Sequence, residues 1–195
     1  IQSNCDDDNT VRLPQPRMGS EHAFEDAFSR VEEYMAAKNS GALVRTDLEL
    51  EALVEILQEK RFITCHSYVQ SEINMLMKVA ERHDFKVNTF THILEGYKVA
   101  DKMKMHGAGA SSFSDWWAYK YEVAEAIPQN PNILHEEGVV TAINSDDAEM
   151  ARRLNQEAAK SIKYAGMSEE DALKMVTLNP AKLLHVDNRV GSIKE

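Results

Sequence analysis

The feature that most constrains this chain is an alternation of short apolar runs with longer stretches of helical periodicity. The runs fall at 62–65, 87–90, 108–112 and 139–144. Between them, Ile73, Leu76, Met77 and Ala80 recur at helical spacing, and residues 96–105 read as a further helix ending before Gly107. Short apolar strands separated by helices are the pattern of βα units around a parallel sheet. A complete (β/α)8 barrel takes about 250 residues and eight strands. A chain of 195 residues with four such units is therefore either a small doubly wound domain or half a barrel that needs its other half.

The flanking segments read as follows. Residues 1–20 form an irregular entry segment, because Pro14 and Pro16 prevent regular helix. Ala23, Phe24, Ala27, Phe28, Val31, Tyr34 and Met35 then predict an amphipathic helix to about residue 38. TDLE at 46–49 has the form of a capping box, opening a helix that turns Leu50, Leu53, Val54 and Leu57 inward. An aromatic-rich loop is expected over 113–137, and a helix over 148–165 stopped by Gly166. Ser168 caps a further helix, and Asn179-Pro180 starts a last short one.

Composition removes several function classes. The formal net charge is −10 and no basic stripe with interleaved aromatics offsets it, which argues against nucleic acid as a partner. No apolar stretch approaches the ~18 residues of a membrane span, and no charged-then-apolar leader opens the chain. The text starts at Ile1 without a methionine, so a processed or excised fragment is the expectation. Cys5 and Cys65 are too few and too far apart for a disulfide scaffold or a zinc knuckle, and Cys65 reads as a small buried residue.

In parallel βα folds, side chains converge at the carboxyl ends of the strands. Here those ends carry His66, then Thr91-His92, then Ser111-Ser112 with Asp115 beyond, then Ser145-Asp146-Asp147. Imidazole and carboxylate donors on separate strand ends suit zinc or another borderline divalent ion. Such an ion lowers the pKa of a bound water to about 7 and makes hydroxide available for attack on a carbonyl. Each residue also has a plainer reading: a strand-end histidine bonded to backbone, or Asp146 capping the helix that follows. His83 and His106 read as solvent-exposed residues near helix ends. The glycines at 107 and 109 lack the frame of a dinucleotide loop. Trp116 and Trp117 are adjacent and cannot both face one core, so at least one is expected to line a mouth or an interface.

The stretches ITCHSY, FTHILEGY, TAINSDDAEM and MSEEDALKMVTLNPAKLLHVDNRVGSIKE resemble the amidohydrolase superfamily, most of all its imidazolonepropionase-like and metal-dependent dipeptidase-like branch. The resemblance covers essentially the whole chain. It implies an α/β fold, the C-terminal half of a TIM-type (β/α)8 barrel comprising strands five to eight. Residues 1–195 would be one partial catalytic domain, with the family's β-sandwich not included. His66, His92 and Asp146 would be metal ligands, zinc first among the divalent ions, one or two in number. Asp146 would also take the proton of the attacking water. Tyr68 matches a His-x-Tyr pattern in related dipeptidases and would contact the polarised carbonyl, while Asp115, Trp116 and Trp117 would lie near the substrate.

The same resemblance implies a small-molecule amide or dipeptide substrate. Its opening segment is similar to a bacterial subgroup that is often exported. The family's strand-one His-x-His pair and strand-four lysine or glutamate do not occur in these 195 residues. The isolated piece is therefore expected to bind metal weakly and to turn over little. It would bury its open edge against the missing half or another copy, as a homo-oligomer. The competing expectation is a catalytically incomplete barrel fragment that serves as an assembly or binding module.

Overall fold

The computed structural model describes residues 17–116 and 119–193. They fall into two compact units: residues up to Ile63 with Met75–Lys86, and Thr64–Asn74 with the residues from Val87 onward.

In the first unit, α1 (Arg17–Asn39) and α2 (Leu48–Leu57) pack together through Val31, Tyr34, Leu50 and Val54. The cap of α2 is Asp47, not Thr46. Its carboxylate accepts from the Glu49 and Leu50 amides at 3.0 and 3.2 Å, which a carboxylate placed one residue later in the sequence does better than the threonine hydroxyl. Phe28 stacks on Phe85 at 4.1 Å. His83, expected in solvent, is instead held between Glu25 and Glu32, its side chain only 8% exposed.

Four strands form one sheet in chain order: β1 (Ile63–His66), β2 (Val87–Thr91), β3 (Gly109–Ser112) and β4 (Thr141–Ile143). The β2–β3 and β3–β4 pairs are parallel, with Phe90 beside Ala110 and Ala110 beside Thr141. The architecture is α/β, consistent with part of a TIM-type barrel. The central strands are apolar on both faces, as a sheet covered by helices requires, and Phe90, Ala110, Ala142 and Ile143 are buried. β1 differs: its residues alternate between half-buried and exposed, and Phe62, expected to open it, is 55% exposed outside it. His66 is the last residue of that strand.

The remaining helices, in chain order, are α3 (Gln70–Arg82), α4 (Ala100–His106), α5 (Asn130–Glu136), α6 (Ala148–Ala151), α7 (Leu154–Ala165), α8 (Glu169–Lys174) and α9 (Leu178–Leu183). Several boundaries differ from the expected ones: α1 begins at Arg17, inside the 1–20 segment expected to be irregular, and β4 is Thr141–Ile143 rather than 139–144. The helix expected at 96–105 begins as a 3-10 turn, Gly96–Val99, before α4. The loop expected over 113–137 contains α5, whose Asn-Pro-Asn start reads as a turn in sequence but places proline where a helix tolerates it. The helix expected over 148–165 breaks at Arg153, where the amide bonds Met150 O three residues back and φ is −121°. Ile143, Ala158, Met167, Ala172 and Met175 form the core between β4, α7 and α8. No described helix is long and apolar enough to cross a membrane.

Candidate active site

His92 follows β2 with φ +70°, a left-handed conformation that a non-glycine residue adopts at a cost of about 1 kcal/mol or more. Its amide still bonds Ser111 O at 2.7 Å, so the turn begins while the chain is anchored to β3. The turned backbone buries the ring, 5% exposed, against three aromatic neighbours. Phe113 stacks on it at 4.7 Å, Tyr68 at 5.5 Å, and His66 meets it edge-on at 4.5 Å.

The polar contacts of His92 are specific. Its Nε2 lies 2.8 Å from Nδ1 of His66 and 3.9 Å from Oδ2 of Asp146. Its Nδ1 faces Asn144 Nδ2 at 3.2 Å, and Asn144 Oδ1 accepts from Ser111 Oγ at 3.0 Å. Burial holds His92 below the ordinary histidine range. Asp146 pulls the other way, and His66 and the Lys120 ammonium add to the depression. The ring is therefore neutral near pH 7, the form that can donate a lone pair.

The two adjacent aspartates divide their tasks. Asp147 caps α6, its Oδ1 accepting from the Glu149 and Met150 amides at 2.9 Å each. The plainer reading of Asp146 as that cap is thereby removed. The Asp146 carboxylate is 58% exposed and faces the histidine pair.

Tyr68 and Trp116 join the Leu94, Phe113 and Val123 cluster, and Trp116 stacks on Phe113 at 4.5 Å. Tyr68 thus stands beside His92. Asp115 is engaged elsewhere: Lys160 Nζ lies 2.7 Å from its Oδ1, and that lysine also meets the buried Glu157. Trp117 lies outside the described residues. Lys120 reaches over the Tyr68 ring, Nζ 3.5 Å from its centre, and Tyr119 lies beside it. Burial and a hydrogen bond with Tyr68 push the Tyr119 phenol above its usual range.

Asn144, Phe113, Tyr119 and Lys120 are contacts that reading strand ends did not single out. Asn144 had a signal, since it lies just past β4 and two residues before Asp146. Two supports hold the cluster. Glu95 Oε2 accepts from Gln70 N at 2.9 Å, pinning the start of α3 beside Tyr68. Asn130, fully buried, donates to Ile93 O and Ser112 Oγ at 2.9 Å each and accepts from Tyr97 N at 2.8 Å. A separate cavity of about 260 Å³, lined by Asn88, Gly109, Val140 and Leu183, lies at the amino ends of β2–β4, opposite the end where βα folds place their chemistry.

The donor set can be tested against a divalent ion. His66 and His92 bring ring nitrogens to 2.8 Å, and Asp146 supplies an oxygen nearby. Nitrogen, nitrogen and carboxylate are the chemistry such ions take, and Asn144 occupies the other nitrogen of His92 as outer partners of ligating histidines do. Among the described residues, no group of three or more His, Cys, Asp or Glu side chains is placed to hold a metal ion. His66, His92 and Asp146 match such an ion in donor type, with His66 and His92 in contact and Asp146 3.9 Å from His92. Cys65 adds nothing to this set, because burial pushes its thiol up and its Sγ contacts Ser67.

Comparison with known proteins agrees with this frame. Residues 18–195 match the family described as the amidohydrolase family, whose members generally use divalent metals. A curated relative, amidohydrolase tasK of Hapsidospora irregularis, is 26% identical over 199 aligned residues, 93% of this chain and 20% of that protein. A crystal structure of an amidohydrolase from Thermotoga maritima MSB8 superposes with a TM-score of 0.81 at 28% identity, over 93% of this chain and 49% of that one. The chain thus spans about half the length of the bacterial protein and a fifth of the fungal one. With a match running over nearly all its residues and the half-barrel sheet already in place, the chain belongs to the amidohydrolase family.

Proposed function

We propose that this chain supplies the carboxyl-terminal half of a metal-dependent hydrolase that cleaves an amide or other C–N bond, in a cyclic amide or a dipeptide-like substrate. The observation that carries the reading is the convergence of His66 and His92 at 2.8 Å, with Asp146 facing them and freed of the capping role by Asp147. The amidohydrolase family supports hydrolase chemistry in general, and the His-x-Tyr and Ser-Asp-Asp stretches favour the imidazolonepropionase-like and dipeptidase-like branch.

A bound divalent ion, zinc by preference for this donor set, supplies Lewis acidity to a substrate carbonyl and to an attacking water. The residues of this chain do the rest. Asp146, exposed at the rim, accepts the water proton and can return it to the leaving amine. Tyr68 offers its hydroxyl to the charge that develops on the carbonyl oxygen. Asn144 sets the His92 tautomer. With Nδ2 toward the ring, His92 carries its proton on Nε2 and gives it to His66. Turned over, the Asn144 amide presents oxygen, His92 protonates at Nδ1 and frees Nε2 as a donor, and Ser111 serves either orientation with its hydroxyl. Phe113 and Trp116 wall the imidazole from water.

The remaining ligands lie outside these residues, in the missing half of the barrel or in a second copy of the chain. Replacing Asp146 by asparagine in the enzyme that carries this chain should abolish amide hydrolysis while leaving the melting temperature within a few degrees. Activity that survives both Asp146→Ala and His66→Ala would overturn the assignment.

A further inference from the structure

We propose that Lys120 anchors an anionic group of the substrate, so that the enzyme prefers amides bearing a free carboxylate. The inference rests on the hydrolase reading above, since it takes the His66–His92 cluster as the reacting end.

The starting observation is a cation held against ring faces rather than by a carboxylate. The chain has 32 acidic and 22 basic residues, so a lysine has acids to spare for pairing. Lys38 pairs with Glu51, Lys98 with Glu95 and Glu125, Lys160 with Asp115 and Glu157, and Lys174 with Glu170 and Asp171. Lys120 has no such partner among the described residues. Its contacts are faces of aromatic rings, with Nζ 3.5 Å from the centre of Tyr68 and 5.5 Å from that of Tyr119. Rings hold a cation in place and leave its hydrogen-bond donors without an oxygen acceptor.

Position gives the cation a role. The Tyr68 ring under Lys120 also stacks on His92, so the ammonium stands one side chain from the imidazole pair. A substrate whose carbonyl meets the histidine cluster can therefore place an anion on Lys120 a few bonds away. A single ammonium suits a monoanion. A phosphate would call for more donors, a fork or a helix amino end. The matching class is a C-terminal carboxylate, as in a dipeptide or an N-acyl amino acid, rather than a neutral cyclic amide.

Matched substrates in the enzyme that carries this chain test the proposal: a dipeptide against its C-terminal amide. The carboxylate form should have the higher kcat/KM by about ten- to hundredfold, the range of one charge-assisted contact, with the difference in KM. Lys120→Met should erase the difference and Lys120→Arg should keep most of it. Lys163→Met, an equal charge change at a lysine set over Tyr164 instead, should leave it intact. Binding of N-acetylglycine and N-acetylglycinamide, followed by NMR, reads the same contact without turnover. If no amide is hydrolysed, the hydrolase reading fails while the binding pair still decides Lys120. Equal binding of the two probes, or binding to Lys120→Met as to wild type, would overturn the proposal.

Discussion

Asn130→Ala is the perturbation whose cost follows most directly from the structure. Asn130 is wholly buried at the start of α5, and its amide ties three segments together. Oδ1 accepts from Tyr97 N at 2.8 Å, while Nδ2 donates to Ile93 O and Ser112 Oγ at 2.9 Å each. Losing the amide affects these partners unequally. Ile93 O keeps its bond from the Gly96 amide, and Ser112 Oγ keeps its donation to Phe113 O. Tyr97 N–H is left without its acceptor, at a cost of about 1–3 kcal/mol, and each of the other lost bonds adds about 1 kcal/mol. The expected destabilisation is about 3–5 kcal/mol, read as a lower urea midpoint at unchanged slope. Asn130→Asp keeps an acceptor for Tyr97 but sets an oxygen against the Ile93 carbonyl, so it should not rescue. A loss below about 1 kcal/mol in both variants would refute the reasoning. Because Ile93 follows His92 and Ser112 precedes Phe113, partial loosening should also broaden the His92 ring resonances.

Two further outcomes follow from local geometry. Burial would push His83 down, but Glu32 at 2.7 Å and Glu25 at 2.9 Å outweigh it and hold the ring above its ordinary range. Folding thus favours protonated His83: this contribution is complete below the unfolded pKa of about 6.5 and is lost as pH rises through the raised folded value. An NMR titration should find the His83 ring above the ordinary range and lower in Glu32→Gln, and an unshifted ring would contradict the bracket. Glu25 works in the opposite direction. Burial pushes it up, but His83 and Arg82 hold it low, so its share is lost as pH falls through its depressed pKa. Asp147→Ala should cost about 1 kcal/mol of stability through the lost cap, whereas Asp146→Ala should cost far less, as thermal melts of the two variants would show.

The parallel sheet was legible because short runs alternate with helical periods, β2 rich in β-branched and aromatic residues and β3 in small ones. Phe90, Ala142 and Ile143 are buried where those runs predict. What escaped notice was decided by partners distant in sequence. His83 looks like a surface residue until α1 brings Glu25 and Glu32 to it. Asp115 looks free at a strand end until α7 presents Lys160. At the site, His66, His92 and Asp146 could be picked out as donor types at strand ends, and the structure brings them together. Asn144 was marked only by its place just past β4 and two residues before Asp146, and Lys120 not at all, because lysines are common on loops. The positive φ of His92 had no signal either, since it comes from the turn that follows the β2–β3 pairing.

The central claim is that His66, His92 and Asp146 are the ion-binding end of a hydrolytic site. Its most direct test is the zinc affinity of the protein and its His92→Asn variant, measured by competition with a chromogenic chelator. Asparagine tolerates the left-handed backbone at this position, so the substitution removes the imidazole while sparing the turn. The account predicts zinc bound at least about tenfold more weakly by His92→Asn and by Asp146→Asn, with Asp147→Asn unchanged. Equal affinity in wild type and His92→Asn would contradict it.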